Sequence, residues 1–199
     1  VLLAPSATRR ERGHVEALTL NLEPDMPRTP AHVLEHLRDF PRDGLVLSLT
    51  SGVFGLIGFS GRRDRNEALL DLLDGLAVSY GEDWWFLNVH GFACTEADKR
   101  TRGRRLVDRA LALNPRNAHA AHARAHVCYE ANASEEGAAF LRSFLAGYDR
   151  KSQMHCHLSW HLALFEFALG RLEHAWTLYD EHIRPVNSYA PALITLTDS

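Results

Sequence analysis

Gly91 and Gly103, Ala125 and Gly137, and Ala163 and Ala175 form three pairs of small residues, each pair twelve positions apart. Where two antiparallel helices cross closely, both need a side chain of little or no bulk, and a dozen residues carries the chain round a short turn to the facing point. The first two pairs are offset by 34 residues and the third follows after 38. One helix-turn-helix unit therefore recurs, with a short insertion before its last copy. Such units bury their apolar faces by stacking on one another, which excludes a sheet and fixes a helical array.

The other positions keep the same register. With Gly91 at position 8 of a unit, Leu87, Cys94, Val107 and Ala110 fall at 4, 11, 24 and 27, and Ala121, Cys128, Leu141 and Phe144 repeat them in the next unit. A 34-residue helix pair of this pattern belongs to tetratricopeptide repeats. The expected fold is all-α, a right-handed α-solenoid forming one domain over 1–199, with repeats at about 10–43, 44–83, 84–117, 118–151 and 156–187. Helices are predicted near 84–97, 102–113, 118–131, 135–147, 154–169 and 171–183. In the first unit Ala17 and Val33 hold the register across a Pro-rich turn, Pro24 to Pro30. The second has an apolar helix, Leu45 to Gly58, a polar turn, Ser60 to Arg65, and a helix bearing Leu69, Leu70, Leu72, Leu73 and Leu76. Pro185 ends the fifth unit. Leu193, Ile194 and Leu196 then open a further helix, so the array is expected to be incomplete at its C-terminal side and to self-associate through that uncovered end.

Composition narrows the class. At 199 residues, 46% hydrophobic and net charge −3, the chain can bury a continuous core and needs no polyanion to neutralise it. It has no apolar run of about 18 residues, so no membrane span is expected. Five cations, Lys99, Arg100, Arg102, Arg104 and Arg105, crowd one turn. Without interleaved aromatics or a basic average they read as a solvated helix start, and nucleic acid is not an expected partner. Two of the three cysteines, Cys94 and Cys128, take the same small apolar repeat position. That favours packing over a disulfide framework, and a cytoplasmic location.

The stretches HAAHARAHVCYE (119–130), SEEGAAFL (134–141) and HLSWHLALFEFALGRLEHAWTLYDEHIRP (157–185) resemble the tetratricopeptide repeat protein 38 family. ATRRERGHVEAL (7–18) is similar to the family's opening helix and ALALNPRNA (110–118) to its middle, whereas Ser51 and Gly52 replace a His-Asp pair usual there. The resemblance implies that the first helix of each unit lines a concave groove and that the family continues beyond the segment similar to LTDS. It carries no assigned reaction.

Twelve histidines are many for this length, and on the groove side they are ordered. His119, His122, His126 and Tyr129 occupy positions 2, 5, 9 and 12 of one unit, and His157, Trp160 and His161 positions 2, 5 and 6 of the next. All should converge on one face, with Glu130 close by. Imidazoles at i and i+4 can chelate zinc or another borderline metal, so His122, His126, His157 and His161 are the candidate ligands of a divalent cation. They equally suit general acid-base work or the binding of an anionic or aromatic ligand, and in the plainest reading they simply hydrogen-bond one another. The HExxH signature is absent, Ala123 standing where its Glu would be. The leading expectation is a scaffold that binds a protein or small-molecule ligand in a His-rich groove. The alternative is an enzyme or metal protein using the same histidines. A clamp for a peptide carboxylate is not expected, because position 5 carries His14, Ser48, Asn88, His122 and Trp160 but no Lys. His90 and His155 fall on the packing side. His14, His32, His36, His174 and His182 read as isolated, with Asp180 and His182 a weaker candidate pair or a helix-end feature.

Overall fold

A computed structural model describes residues 6–22, 28–52 and 54–199. In chain order its α-helices are α1 (Arg9–Leu22), α2 (Arg28–Asp39), α3 (Gly44–Ser48), α4 (Arg65–Tyr80), α5 (Trp84–Glu96) and α6 (Arg100–Leu113), followed by α7 (Ala118–Glu130), α8 (Ser134–Leu145), α9 (His155–Ala168), α10 (Leu172–Leu178) and α11 (Ala192–Asp198). No strand occurs among the described residues. Most helices adjacent in sequence pack on each other, α5, α7 and α9 also touch as alternate helices, and α11 packs on α9. This arrangement is compatible with an α-solenoid. No helix among the described residues is long and apolar enough to cross a membrane.

The boundaries repeat as the spacing does. Asp83 accepts hydrogen bonds from the amides of Trp85 and Phe86 to start α5, and Asn117, 34 residues on, does the same for His119 and Ala120 at the start of α7. The turns that follow carry Asp98 (φ 59°), Asn132 (φ 54°) and Gly170 (φ 74°), a left-handed residue at intervals of 34 and then 38. Each closes with the same long bond: Lys99 N–H to Cys94 O, Ala133 N–H to Cys128 O and Arg171 N–H to Glu166 O, at 2.7, 2.9 and 2.9 Å. The last carbonyls of α5, α7 and α9 are thereby satisfied.

Small residues at the crossings have two distinct causes. At α5 and α6 the backbones themselves meet: a Cβ on Gly103 would lie 2.9 Å from the Gly91 carbonyl oxygen, and one on Gly91 2.7 Å from Val107 Cγ2. Gly137 instead makes room for the next unit, since a Cβ there would sit 2.6 Å from Cε2 of Phe165 on α9. Phe165 is fully buried with Leu141 and Leu158 in the C-terminal core. Ala17, Val33, Leu37, Leu47, Leu73 and Phe86 form the N-terminal one.

Two segments depart from the sequence reading. The helix expected from Leu45 to Gly58 stops at Ser48, because Thr50 and Ser51 donate their hydroxyls to the Leu47 carbonyl and Gly52 turns left-handed (φ 76°). The chain resumes in a 3-10 turn, Gly58–Ser60, and Val53 lies outside the described residues. In the Pro-rich turn, residues 23–27 likewise lie outside them, and Pro30 belongs to the first turn of α2, where its missing N–H leaves no bond unmade. Farther on, α10 passes into a π-turn, Tyr179–Ile183, which ends at extended Arg184 before Pro185. The helix expected near Leu193 forms as α11.

A four-histidine candidate metal centre

Because Asn117 fixes where α7 starts, His122 and His126 share one helix face, and α9 brings His157 and His161 against it. Nε2 of His122 lies 3.0 Å from Nε2 of His126 and 3.0 Å from Nε2 of His157. The His161 ring centroid is 4.9 Å from those of His122 and His126 and 4.8 Å from that of His157. Phe92 on α5 closes one side, 5.4 and 5.0 Å from the rings of His122 and His126. Trp160 closes another, stacked on His157 at 5.5 Å.

Two carboxylates hold the cluster from outside. Nδ1 of His126 meets Glu96 Oε1 at 3.2 Å, and Nδ1 of His157 meets both oxygens of Asp198, on α11, at 3.0 and 2.9 Å. A carboxylate only accepts, so each Nδ1 carries hydrogen, and in the neutral ring Nε2 then presents a lone pair. Both lone pairs aim at Nε2 of His122, which has at most one hydrogen to give. Nε2 of His161 is buried and has no hydrogen-bond partner. Burial pushes the proton affinity of His122 and His161 well below that of a free imidazole, and the neighbouring histidines push it further. On His122 and His161 a proton is therefore a poor solution to the crowding of ring nitrogens. A cation that accepts them is a good one: nitrogens of His122, His126 and His161 already lie within 4.8 Å of one another, and a tetrahedral zinc with bonds of about 2.0–2.1 Å needs about 3.4 Å between donors.

Of the residues singled out from sequence, the four histidines and Trp160 come together. His119 remains exposed at the edge, near enough for its charge to weigh on His122. Tyr129 is also exposed. Glu130 is not the carboxylate of the site: it faces Arg100 at 3.7 Å, and Glu96, one unit earlier, takes its place. Sequence reasoning missed Glu96, Asp198 and Phe92. No local spacing marks them, since Asp198 lies 41 residues from the histidine it holds.

The histidines read as isolated are not. His14 and His36 both bind the buried Asp43 carboxylate at 3.0 Å, Arg10 approaches it at 3.5 Å, and Asp43 also caps α3. His32 meets the Gly13 carbonyl at 3.1 Å. His174 lies 3.6 Å from Glu166, and the ring of His182 lies 5.2 Å from that of His155. Asp180 and His182 do not pair either, because Asp180 accepts from Arg184 and His182 approaches Glu181. His90 is satisfied on the packing side by Asp74 at 2.7 Å. In the basic turn Arg100, Arg102 and Arg104 each face an acidic side chain. All three cysteines are free and buried, and burial raises their thiols. No family model matches the chain.

Proposed function

We propose that this chain is a tetratricopeptide-type repeat protein, similar to the tetratricopeptide repeat protein 38 family, whose groove holds a borderline divalent cation at His122, His126, His157 and His161. The repeat reading rests on the 34- and 38-residue recurrence of caps, left-handed turn residues and small crossing positions. One observation carries the metal reading: Nε2 of His122 lies 3.0 Å from Nε2 of both His126 and His157, whose neutral rings put a lone pair there, and the buried Nε2 of His161 has no partner. Four imidazoles suit zinc, nickel, copper or iron, whereas magnesium and calcium prefer oxygen donors. Glu96 and Asp198 add the carboxylates that commonly orient metal-bound histidines, and their two negative charges balance a dication. Three buried thiols fit a cytoplasmic protein.

Elemental analysis of the purified protein and titration of the metal-stripped protein with Zn2+ or Co2+ test this. One equivalent should bind, and Co2+ should give the visible bands of nitrogen coordination. His126→Asn with His161→Gln should abolish binding while the metal-free protein stays folded. A wild-type protein that takes up no metal overturns the reading.

A further inference from the structure

α11 meets the rest of the array through polar groups. Its buried residues are Thr195 and Asp198, both polar, while Leu193 and Leu196 are 57% and 71% exposed. Thr195 bonds locally, to Ser188 and to the Ala190 carbonyl, so it shapes the approach to α11 without tying it to the body of the array. Among the described residues, α9 is the helix that packs against α11 to any extent. Hydrophobic burial, which docks most short helices, is thus confined here to the half-buried Ile194. The attachment that reaches across is the pair of contacts between Asp198 and His157 Nδ1, with the Asp198 side chain only 3% exposed.

We propose that Asp198 is a positioning residue of the metal centre and that α11 is a latch which metal loading docks. The inference rests on the metal reading of the four-histidine cluster. A cation on Nε2 of His157 withdraws electron density from the ring, which makes its Nδ1–H a stronger donor to Asp198. The carboxylate in turn fixes the ring and makes Nε2 a better ligand. The two events share one free energy, so whatever factor docking adds to metal affinity, metal adds to docking. Without metal the latch hangs on the two Asp198 contacts of an ordinary imidazole N–H, and Asp198 must compete with its own hydration.

Hydrogen exchange of the full chain, read on the peptide spanning 190–199 with and without Zn2+, measures the docking. Zn2+ titration of wild type, Asp198→Asn and Asp198→Glu measures the affinity. Zinc should slow exchange across α11 in the wild type. Asp198→Asn should weaken zinc binding by about 10- to 100-fold and lose most of the zinc-dependent protection, and Asp198→Glu should restore part of both. Leu193→Ser, on the exposed face, should change neither. A wild type that binds no zinc overturns the metal reading and this inference with it. Zinc binding in the wild type with unchanged α11 exchange, or with the affinity of Asp198→Asn equal to wild type, overturns the latch alone.

Discussion

The chain gathers histidines and carboxylates twice, and the two gatherings are built inside out. In the N-terminal half a carboxylate is the centre: Asp43 is buried, and His14, His36, Arg10 and the Val46 amide converge on it as donors. In the C-terminal half imidazoles are the centre and the carboxylates, Glu96 and Asp198, stand outside. A buried anion ringed by donors is complete, and although burial raises the Asp43 carboxyl, the bonds from His14 and His36 hold it below its usual range. Lone pairs pointed at one another are not complete. The same residue types therefore build a structural knot where an acid is central and a candidate ion site where bases are.

The most damaging single change should fall in the knot. Asp43→Ala leaves the buried His36 and the partly buried His14 without their acceptor and uncaps α3, and should cost about 3–5 kcal/mol in urea unfolding while the affinity for Zn2+ of the folded fraction stays as it was. If zinc binding falls with it, the two regions are not independent.

Next in size is the effect of metal on stability. At a free Zn2+ concentration 100 times its dissociation constant the wild type should gain about 2.7 kcal/mol, visible as a raised melting temperature. His122→Asn should gain nothing, and His14→Gln should gain as much as wild type. A gain that His14→Gln abolishes would place the ion in the wrong half.

Acid should then separate the halves in metal-free buffer. Burial lowers His155, to about 4, and lowers His122 and His161. Groups whose folded pKa is depressed stabilise fully above the unfolded value of about 6.5, and that share is lost as pH falls through the folded one. Asp43, an acid lowered from 3.8, keeps its contribution until the pH drops below that value. Glu136, held at about 2 by Arg104 and Arg124, does likewise. Exchange protection should accordingly fade first in α7 and α9, between pH 6.5 and 4, and only below about pH 4 around Asp43. The reverse order would contradict the contrast.

The smallest effect expected is at Glu96. Its side chain is 34% exposed and meets His126 through one 3.2 Å contact, against the two contacts of the buried Asp198. Glu96→Gln should weaken zinc binding by about 10-fold, less than Asp198→Asn in the same titration. Equal losses would mean that burial of the outer carboxylate adds nothing.

What was legible in the residues was what depends on short spacing. The turn after each first helix needs a left-handed residue, and Asp98, Asn132 and Gly170 supply it at the intervals of the small pairs. His122 with His126 and His157 with His161 are each one helical turn apart, so the convergence could be anticipated once the helices were. Spacing misled where a local competitor acted: the apolar run after Leu45 looks helical, but two hydroxyls and Gly52 end it.

From residue 84 onward the helices, their order and the face on which the four histidines lie follow from periodicity and from caps a few residues long. Which carboxylate meets which ring is set by how the helices pack. Glu96 rather than Glu130 reaches His126, Asp198 reaches back to His157, and Asp43 gathers two histidines that looked solitary. Such partners come from different helices, and whether two side chains meet across them turns on a few ångströms of helix offset and one rotamer choice. Neither leaves a periodic trace along the chain.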